Sequence, residues 1–213
     1  MTDQDIQLLI QAVEKADSAD ALLKTVENLA CASDQAAIPT LIEVLGYNNP
    51  GAAVAAVEGL INLGDVAVPN LLAQIDGYNY GARAWATRAL AGIGHPKALN
   101  LLIEAASTDF ALSVRRSAAR GLGNIRWSQL NDAEVTKAQS QTIETLIQVS
   151  QDPEWVVRYA ASTSLEQLAS SLNPTQPALV RQIVEIFNNI REKETELSVK
   201  VRVQWALQNL ADS

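Results

Sequence analysis

The sequence has few of the residues that build metal sites, disulfides and nucleophilic active sites. Among 213 residues there is one cysteine, Cys31, and one histidine, His95, and the two lie far apart in the chain. A single cysteine forms no internal disulfide, which fits a reducing cytoplasm, and this pair has no metal-site spacing. We therefore expect a cytoplasmic protein without a metal or another cofactor. Cys31 is expected to be a small buried residue, and His95 a solvated residue in a turn.

Positive charge and long hydrophobic runs are also scarce. The chain carries 16 lysines and arginines against 24 acidic residues, a net charge of −8, whereas nucleic-acid-binding surfaces are normally basic. No apolar run is long enough to cross a bilayer, and the polar, acidic start predicts no signal peptide. These absences argue against a nucleic-acid binder and against membrane insertion.

One window departs from this acidic average. Residues 83–126 contain six arginines and Lys97 but only two acidic residues, Glu104 and Asp109, so the window has a net charge of +5. The rest of the chain therefore carries −13. A local basic patch on an acidic protein favours a small anionic ligand or an acidic partner surface over an extended polyanion.

The sequence is rich in one pattern, a repeat with helical spacing. Residues 86–93 and 118–125 are near copies, offset by 32 residues. Each copy has an anchor leucine, an apolar residue three positions later and, in four of five copies, a basic residue seven positions earlier. Such spacing marks one stripe of an α-helix, and a period of about 30 to 43 residues predicts an all-α, right-handed α-solenoid of five to six helical hairpins. The anchors are Leu60, Leu90, Leu122, Leu165 and Leu207.

We expect a single repeat domain over residues 1–213. Residues 1–34 are predicted to be an N-terminal cap hairpin, residues 35–127 the core repeats, and residues 142–213 the C-terminal repeats. The polar segment 128–141 is expected to be a longer loop or a short extra helix, because the anchor spacing stretches to 43 residues there. Pro39 and Pro69 suit the first turns of helices, whereas Gly64 and Gly94 suit left-handed helix ends.

Charged residues near the start of the second helices define the type of repeat. Asp109 precedes Arg115 by six residues, and Asp152 precedes Arg158 by six. Both segments contain, in this order, an aspartate, an apolar residue, Val-Arg, an alanine and a leucine. This pattern resembles the HEAT-type repeat. Each arginine can bridge to an aspartate of the same or an adjacent turn. We predict that Arg83, Asp109, Arg115, Asp152 and Arg158 form a structural ladder; contacts to a ligand are the alternative.

The outward-facing positions of the second helices form the expected ligand surface. Positions two, five and six before each anchor lie about 160°, 220° and 120° from it, and second helices line the concave surface of such solenoids. An aromatic ring with convergent arginines suits a flat ligand with two carboxylates; the alternative is solvated arginines beside a half-buried tryptophan. These positions hold Glu58, Trp85, Arg88, Arg116 and Arg120. Tyr80 and Trp155 lie ten positions before an anchor, in the same column as Leu112 and Leu197, and this shared column favours packing for both aromatic residues.

Two runs of sequence carry a closer resemblance. Residues 76–86, DGYNYGARAWA, continue through LAGIG at 90–94, and TDFALSVRR at 108–116 is followed by ARGLG at 119–123. Both runs are similar to the F (β) subunit of the heterodimeric E/F-type phycocyanobilin lyases, which consist of HEAT-like phycobilisome-lyase repeats. The resemblance implies a lyase of the phycobilisome antenna that pairs with a homologous E-type subunit. That enzyme attaches phycocyanobilin through a thioether to a cysteine of the phycocyanin α subunit.

The same resemblance carries implications for the chemistry. A related F-type subunit from the phycoerythrocyanin system also isomerises the bilin and carries a His-Cys pair, whereas the corresponding stretch here is Asn79-Tyr80-Gly81. This difference implies attachment without isomerisation. The acceptor thiol is then the nucleophile and the bilin ethylidene group the electrophile, so the lyase carries and orients the bilin. Holding two reactants in register can contribute roughly 7–11 kcal/mol.

The resemblance also suggests roles for individual residues. The hypothesis assigns the propionates to Arg88, Arg116 and Arg120, and stacking on the pyrroles to Trp85 with Tyr78 or Tyr80. It assigns the pyrrole nitrogens to one of the two candidate catalytic residues, Glu58 or Asp109.

Two other functions fit part of the sequence. A HEAT-repeat scaffold, chaperone or degradation factor that binds phycobiliproteins without forming a bond would use the same repeats and the same acidic exterior. A HEAT-like enzyme acting on DNA bases would need a basic groove along many repeats, whereas the basic window covers two. The similarity over residues 78–85 and 109–123 favours the lyase.

Overall fold

The computed structural model describes residues 2–74, 80–172 and 176–211, with Tyr80 described by its backbone only. Over these ranges every regular element is helical, and the described residues form twelve α-helices in six consecutive hairpins. The predicted all-α architecture of five to six helical hairpins is therefore confirmed. The helices divide into two compact units, Met1–Ala98 and Leu99–Ser213, and the prediction of one domain over residues 1–213 stays a prediction.

The first unit contains three hairpins. Its second helices, α2, α4 and α6, pack side by side, and each also packs against the first helix of its own hairpin. The anchor leucines Leu60 and Leu90 are fully buried in this arrangement, as their spacing predicted. The six helices are α1 (Asp3–Glu14), α2 (Ala19–Cys31), α3 (Ile38–Val44), α4 (Pro50–Leu63), α5 (Val68–Gln74) and α6 (Tyr80–Ile93).

Local capping explains where the first hairpin begins and turns. Thr2 and Asp5 form a reciprocal capping box at the start of α1. The Ser18 hydroxyl accepts a hydrogen bond from the Ala21 N–H at 3.2 Å and so begins α2. Cys31 is the last residue of α2 and is exposed, so the prediction that it is buried was wrong. Its place at the helix end, outside the apolar stripe, leaves it uncovered.

A segment of the first unit resembles a membrane span by composition alone. Pro50–Gln74 is 25 residues long, and an 18-residue window within it has a mean hydropathy of 1.5 and is half buried inside the protein. In the structure it is divided into α4, a 3-10 turn at Gly64–Ala67, and α5. Gly64 ends α4 with a φ of 69°, in the left-handed region that its sequence position predicted. The apolar residues of this segment therefore belong to two packed core helices.

Helices α2 and α4 approach closely at Gly59. A Cβ added there would lie 2.7 Å from the Ala30 Cβ and 3.1 Å from the Ala30 Cα. We expect Gly59→Ala to lower the free energy of unfolding by about 1–2 kcal/mol, because overpacking exceeds the helix propensity gained. Urea denaturation followed by far-UV circular dichroism measures this. Gly51→Ala in the same helix is the control, since its nearest neighbours lie at 3.5 Å; equal losses in both variants would contradict the packing argument.

The second unit also contains three hairpins, and its second helices α8, α10 and α12 pack side by side. The anchors Leu122 and Leu165 are fully buried, whereas Leu207 in the last hairpin is half-buried. The six helices are α7 (Leu99–Thr108), α8 (Leu112–Leu122), α9 (Asp132–Val149), α10 (Trp155–Ser171), α11 (Pro177–Lys193) and α12 (Leu197–Ala211).

The longer spacing between the anchors Leu122 and Leu165 results from the length of α9, which has 18 residues. Residues 128–141 were expected to form a loop or a separate short helix, but most of them are the first turns of α9, which continues unbroken to Val149. Asn131 caps this helix by accepting a hydrogen bond from the Glu134 N–H at 3.0 Å. Asp132 and Glu134 in the first turn also suit the positive end of the helix dipole. The polar composition of the segment therefore reflects an exposed helix start.

Candidate functional site

Arg115 makes four hydrogen bonds near the start of α8, the second helix of the first hairpin of the second unit. Its Nε and Nη2 donate to the carboxylate of Asp152 at 2.7 and 3.1 Å. Its Nη1 donates to the carbonyl oxygens of Asp109 and Phe110 at 2.9 and 3.0 Å. The forked guanidinium therefore ties the start of its own helix to the turn that precedes α10.

Arg158 on α10 repeats this pattern one hairpin later. Its Nε and Nη2 donate to the carboxylate of Glu194 at 2.8 and 2.9 Å, and its Nη1 donates to the carbonyl oxygens of Asp152 and Pro153. The hydrogen bonds from Arg158 and from the backbone N–H groups of residues 195 and 196 hold the pKa of Glu194 below its ordinary value of 4.5. Asp152 serves both arginines, so the interactions form a continuous ladder from Arg115 to Glu194.

The ladder differs in detail from the one drawn from sequence. Each arginine donates hydrogen bonds to a carboxylate of the following hairpin. Within its own hairpin it donates to backbone carbonyl oxygens and not to the aspartate carboxylate. The Asp109 carboxylate accepts a hydrogen bond from the Ala111 N–H at 2.8 Å, beside the start of α8. Glu194 was missed, although it precedes Lys200 by six residues, the offset that relates the aspartates to their arginines. Arg83 lies half-buried on α6 in the first unit.

Next to this ladder, an open groove of about 690 Å³ crosses the surface of the second unit. Its lining comes from the three second helices α8, α10 and α12, with one cation and no carboxylate among the lining side chains. Three of the lining residues occupy the position six before the anchor in successive hairpins. The groove is lined by Arg116, Trp155, Val156, Tyr159, Leu197, Ser198 and Val201.

Several apolar side chains of this groove are exposed. Trp155 is 43% exposed and Leu197 70% exposed, and Leu112 in the equivalent position is exposed as well. The prediction that Trp155 packs was therefore wrong. The position ten before the anchor is the first residue of α8, α10 and α12 and stands about 80° from the anchor. It lies at the edge of the buried stripe, where the neighbouring hairpin does not cover it.

In the first unit, α6 carries an aromatic and arginine pair. Trp85 is half-buried and Arg88 is exposed, and the Arg88 Cζ lies 5.5 Å from the centroid of the Trp85 ring. This distance is within the range of a cation–π interaction. The guanidinium therefore stays close to the ring while its outward edge faces solvent.

Family models of HEAT repeats match residues 68–138 and 143–172. "Phycocyanin alpha phycocyanobilin lyase CpcF" of Synechocystis sp. (strain ATCC 27184 / PCC 6803 / Kazusa) is 56% identical over 207 residues, which cover 97% of this chain and 94% of that protein. "Phycocyanobilin lyase subunit beta" of Pseudanabaena tenuis (strain PCC 7409) is 49% identical over 211 residues, 99% of this chain and 74% of that protein.

The chain belongs to the phycocyanobilin lyase β-subunit family. The structure of the complex of CpcE and CpcF of phycocyanin lyase from Nostoc sp. PCC7120 contains a chain that is 49% identical and matches with a TM-score of 0.74. This match covers 81% of the present chain and 99% of the other. The family predicted from the two sequence runs is therefore confirmed.

The residues that this lyase-family chain was predicted to use for the bilin lie in both units. In the first unit, Glu58 is exposed on α4, while Tyr78 and the side chain of Tyr80 lie outside the described residues. In the second unit, Arg116 and Arg120 are both exposed on α8, one turn apart. Arg116 lines the groove.

The sequence of this lyase-family chain contains a feature that indicates the groove, in the outward columns of the last two repeats. The outward columns were considered in the two central repeats, where arginines and a tryptophan mark them, and at Glu58 in the repeat before, but not in the last two repeats. The same columns in the last two repeats hold Tyr159, Val201 and Trp205, all exposed. Apolar side chains at positions that a solenoid leaves outward are the feature that would have pointed to this surface.

Proposed function

We propose that this chain is the β (F-type) subunit of a heterodimeric bilin lyase that attaches phycocyanobilin to a cysteine of the phycocyanin α subunit. The proposal is carried by the identity of 56% to a protein named phycocyanin alpha phycocyanobilin lyase, over nearly the full length of both chains. The partner is a homologous E-type subunit, because the similar chain of known structure forms a complex of CpcE and CpcF. We place this subunit in the cytoplasm, because its single cysteine forms no internal disulfide and so fits a reducing compartment.

The reaction needs little covalent chemistry from the lyase. The sulfur of the acceptor cysteine adds to the ethylidene carbon of the bilin, one C–S bond forms, and the thiol proton ends on the tetrapyrrole. Atoms balance without a further reactant. Among the described residues no cluster of histidine, cysteine, aspartate and glutamate is placed to hold a metal ion. We therefore assign this chain the work of binding and orienting the bilin against the acceptor thiol.

The residues proposed for bilin binding are exposed arginines, aromatic residues and two acidic residues. Arg88, Arg116 and Arg120 present exposed guanidinium groups for the propionates. Trp85 offers a half-buried ring for stacking, with Arg88 beside it. Tyr78 and Tyr80 keep their proposed stacking role, and Glu58 and Asp109 their role toward the pyrrole nitrogens, as predictions.

We further propose that attachment proceeds without isomerisation of the bilin. The stretch Asn79-Tyr80-Gly81 holds no His-Cys pair, and the one histidine and one cysteine of the chain are not adjacent anywhere. A scaffold that binds phycobiliproteins without forming a bond is the second candidate. The exposed apolar side chains Leu197, Val201 and Trp205 along α12 favour it, because they suit a protein surface.

Co-expression tests the proposal in cells that make phycocyanobilin and the phycocyanin α apoprotein. We expect a covalent, zinc-fluorescent acceptor band on a denaturing gel when this chain and an E-type subunit are both present. Either subunit alone should give at most a trace of that band, since the pair is the active form.

The control replaces the acceptor cysteine with serine, which should abolish the band without affecting expression. Absence of a band with both subunits, together with stable binding of phycocyanin that already carries its bilin, would overturn the lyase in favour of the scaffold. An absorption spectrum of the product tests isomerisation, because a shortened conjugated system absorbs at shorter wavelength.

A further inference from the structure

We propose that the groove of the second unit is itself a bilin subsite, which binds one carboxylate of the tetrapyrrole at Arg116 and its ring system against Trp155 and Tyr159. The proposal rests on the proposed function and adds a location and four residues that sequence reasoning did not assign: Trp155, Tyr159, Leu197 and Val201.

The shape and surface of the groove suit a planar, largely apolar ligand. Its volume of about 690 Å³ falls within the roughly 300–1,000 Å³ of typical small-molecule sites. Trp155 and Tyr159 start from adjacent turns of α10, and both side chains are exposed. Leu197 and Val201 on α12 have the same spacing. The groove therefore offers aromatic and aliphatic surface on two neighbouring helices, with a cation on the third.

The charge of the groove specifies an anionic group on the ligand. Arg115 and Arg158 are held by Asp152 and Glu194, so neither guanidinium is available to a ligand. Arg116, one residue after Arg115, is exposed and forms no ion pair within the part of the chain that the structure describes. No carboxylate lines the groove. A guanidinium with unused donors beside aromatic surface fits a carboxylate attached to a flat ring system.

The ladder also fixes the geometry of this subsite. Arg115 and Arg158 each directly precede a groove residue, Arg116 and Tyr159, and hold the starts of α8 and α10 in place through bidentate hydrogen bonds. The backbone that carries the groove residues is therefore ordered before a ligand arrives. Such preorganisation lowers the entropy lost on binding.

A titration of the full-length chain, co-purified with an E-type subunit, tests the subsite with phycocyanobilin as the probe and bilin absorbance as the readout. We expect Arg116→Ala to weaken binding by about 10- to 100-fold, since it removes charge-assisted hydrogen bonds. Trp155→Leu should weaken binding by about tenfold through loss of stacking. Arg181→Ala on α11 and Phe110→Leu are the matched controls, because both side chains are exposed and neither lines the groove.

The outcomes separate this inference from the proposed function. Wild-type affinity in both groove variants, with a normal covalent product in the co-expression assay, would overturn the subsite and leave the lyase standing. Unchanged bilin affinity with lost binding of the E-type subunit or of phycocyanin α would make the groove a protein-docking surface and also overturn it. No covalent product from the wild-type pair would overturn the lyase itself. Weaker bilin binding in the groove variants alone, with unchanged far-UV circular dichroism, would establish the subsite.

Discussion

Replacing Arg158 with alanine is expected to lower the free energy of unfolding by about 2 to 3 kcal/mol. The substitution leaves the Glu194 carboxylate, whose side chain is 6% exposed, without its bidentate partner. It also removes the donor to the carbonyl oxygens of Asp152 and Pro153. Breaking a buried pair from one side costs more than the pair contributes, because the remaining charge stays desolvated. Urea denaturation of the chain measures the change.

A double-mutant cycle separates the pair from the rest of the site. Glu194→Gln should cost less than Arg158→Ala, since an amide can still accept from the guanidinium. The double variant should lose less than the sum of the two single losses, with a coupling of about 1–3 kcal/mol. Additive losses would show that Arg158 and Glu194 act independently. Arg181→Ala provides the baseline for loss of an exposed arginine.

The same pair gives the stability a pH dependence with a definite sign. Glu194 has a folded-state pKa below its ordinary value of 4.5, chiefly because Arg158 donates hydrogen bonds to it. Its contribution is therefore fully present above about pH 4.5 and is lost as the pH falls through the lowered pKa. In Glu194→Gln this component of the acid dependence should be absent, so the stability of that variant should fall less steeply below pH 4.5.

Replacing Arg88 with alanine is expected to weaken phycocyanobilin binding by about 10- to 100-fold. Its exposed guanidinium is the proposed partner of a propionate, and a lost charge-assisted hydrogen bond has this size. The Arg88 Cζ also lies 5.5 Å from the centroid of the Trp85 ring, so alanine removes a cation–π contact that helps to orient the ring. The measurement is a bilin titration of the chain with its E-type partner.

Arg88→Lys distinguishes charge from geometry. Lysine keeps the positive charge but lacks the planar fork, so it should recover only part of the affinity lost in the alanine variant. The fold should not change, because Arg88 is exposed on the outer face of α6. Bilin affinity unchanged in Arg88→Ala would remove this residue from the site and leave the groove of the second unit as the remaining candidate.

The sequence predicted the helices well because their signals are local. Anchor leucines at a spacing of three and seven mark a buried stripe, and Ser18, Gly64 and the proline-led helix starts mark the ends. The partner of Arg158 was harder to predict, because Glu194 lies 36 residues away. For residues 132–141 the sequence left a longer loop and a short extra helix open, because a polar helix start and a polar loop have similar compositions; the segment is the start of α9.

The candidate site was predicted only in part, for a different reason. Arg116 was found because an arginine in an outward column is conspicuous. Trp155 was assigned to packing because its column lies only about 80° from the anchor, and a sequence does not show how far a neighbouring hairpin reaches. The structure shows that the first residues of α8, α10 and α12 are left uncovered. Exposure of this kind depends on the angle and spacing of the hairpins.

Three groove residues lie six positions before the anchor in successive hairpins. Selection for the fold and selection for the ligand therefore act on different columns of the repeat. Buried columns such as that of Leu122 and Leu165 determine whether the chain folds. The outward column holds exposed residues, Arg116, Tyr159 and Val201, at positions other than those of the anchors. Each of these residues can therefore be replaced without disturbing the core. A duplicated gene could thus acquire a preference for a different pigment through a few surface substitutions while inheriting its architecture unchanged.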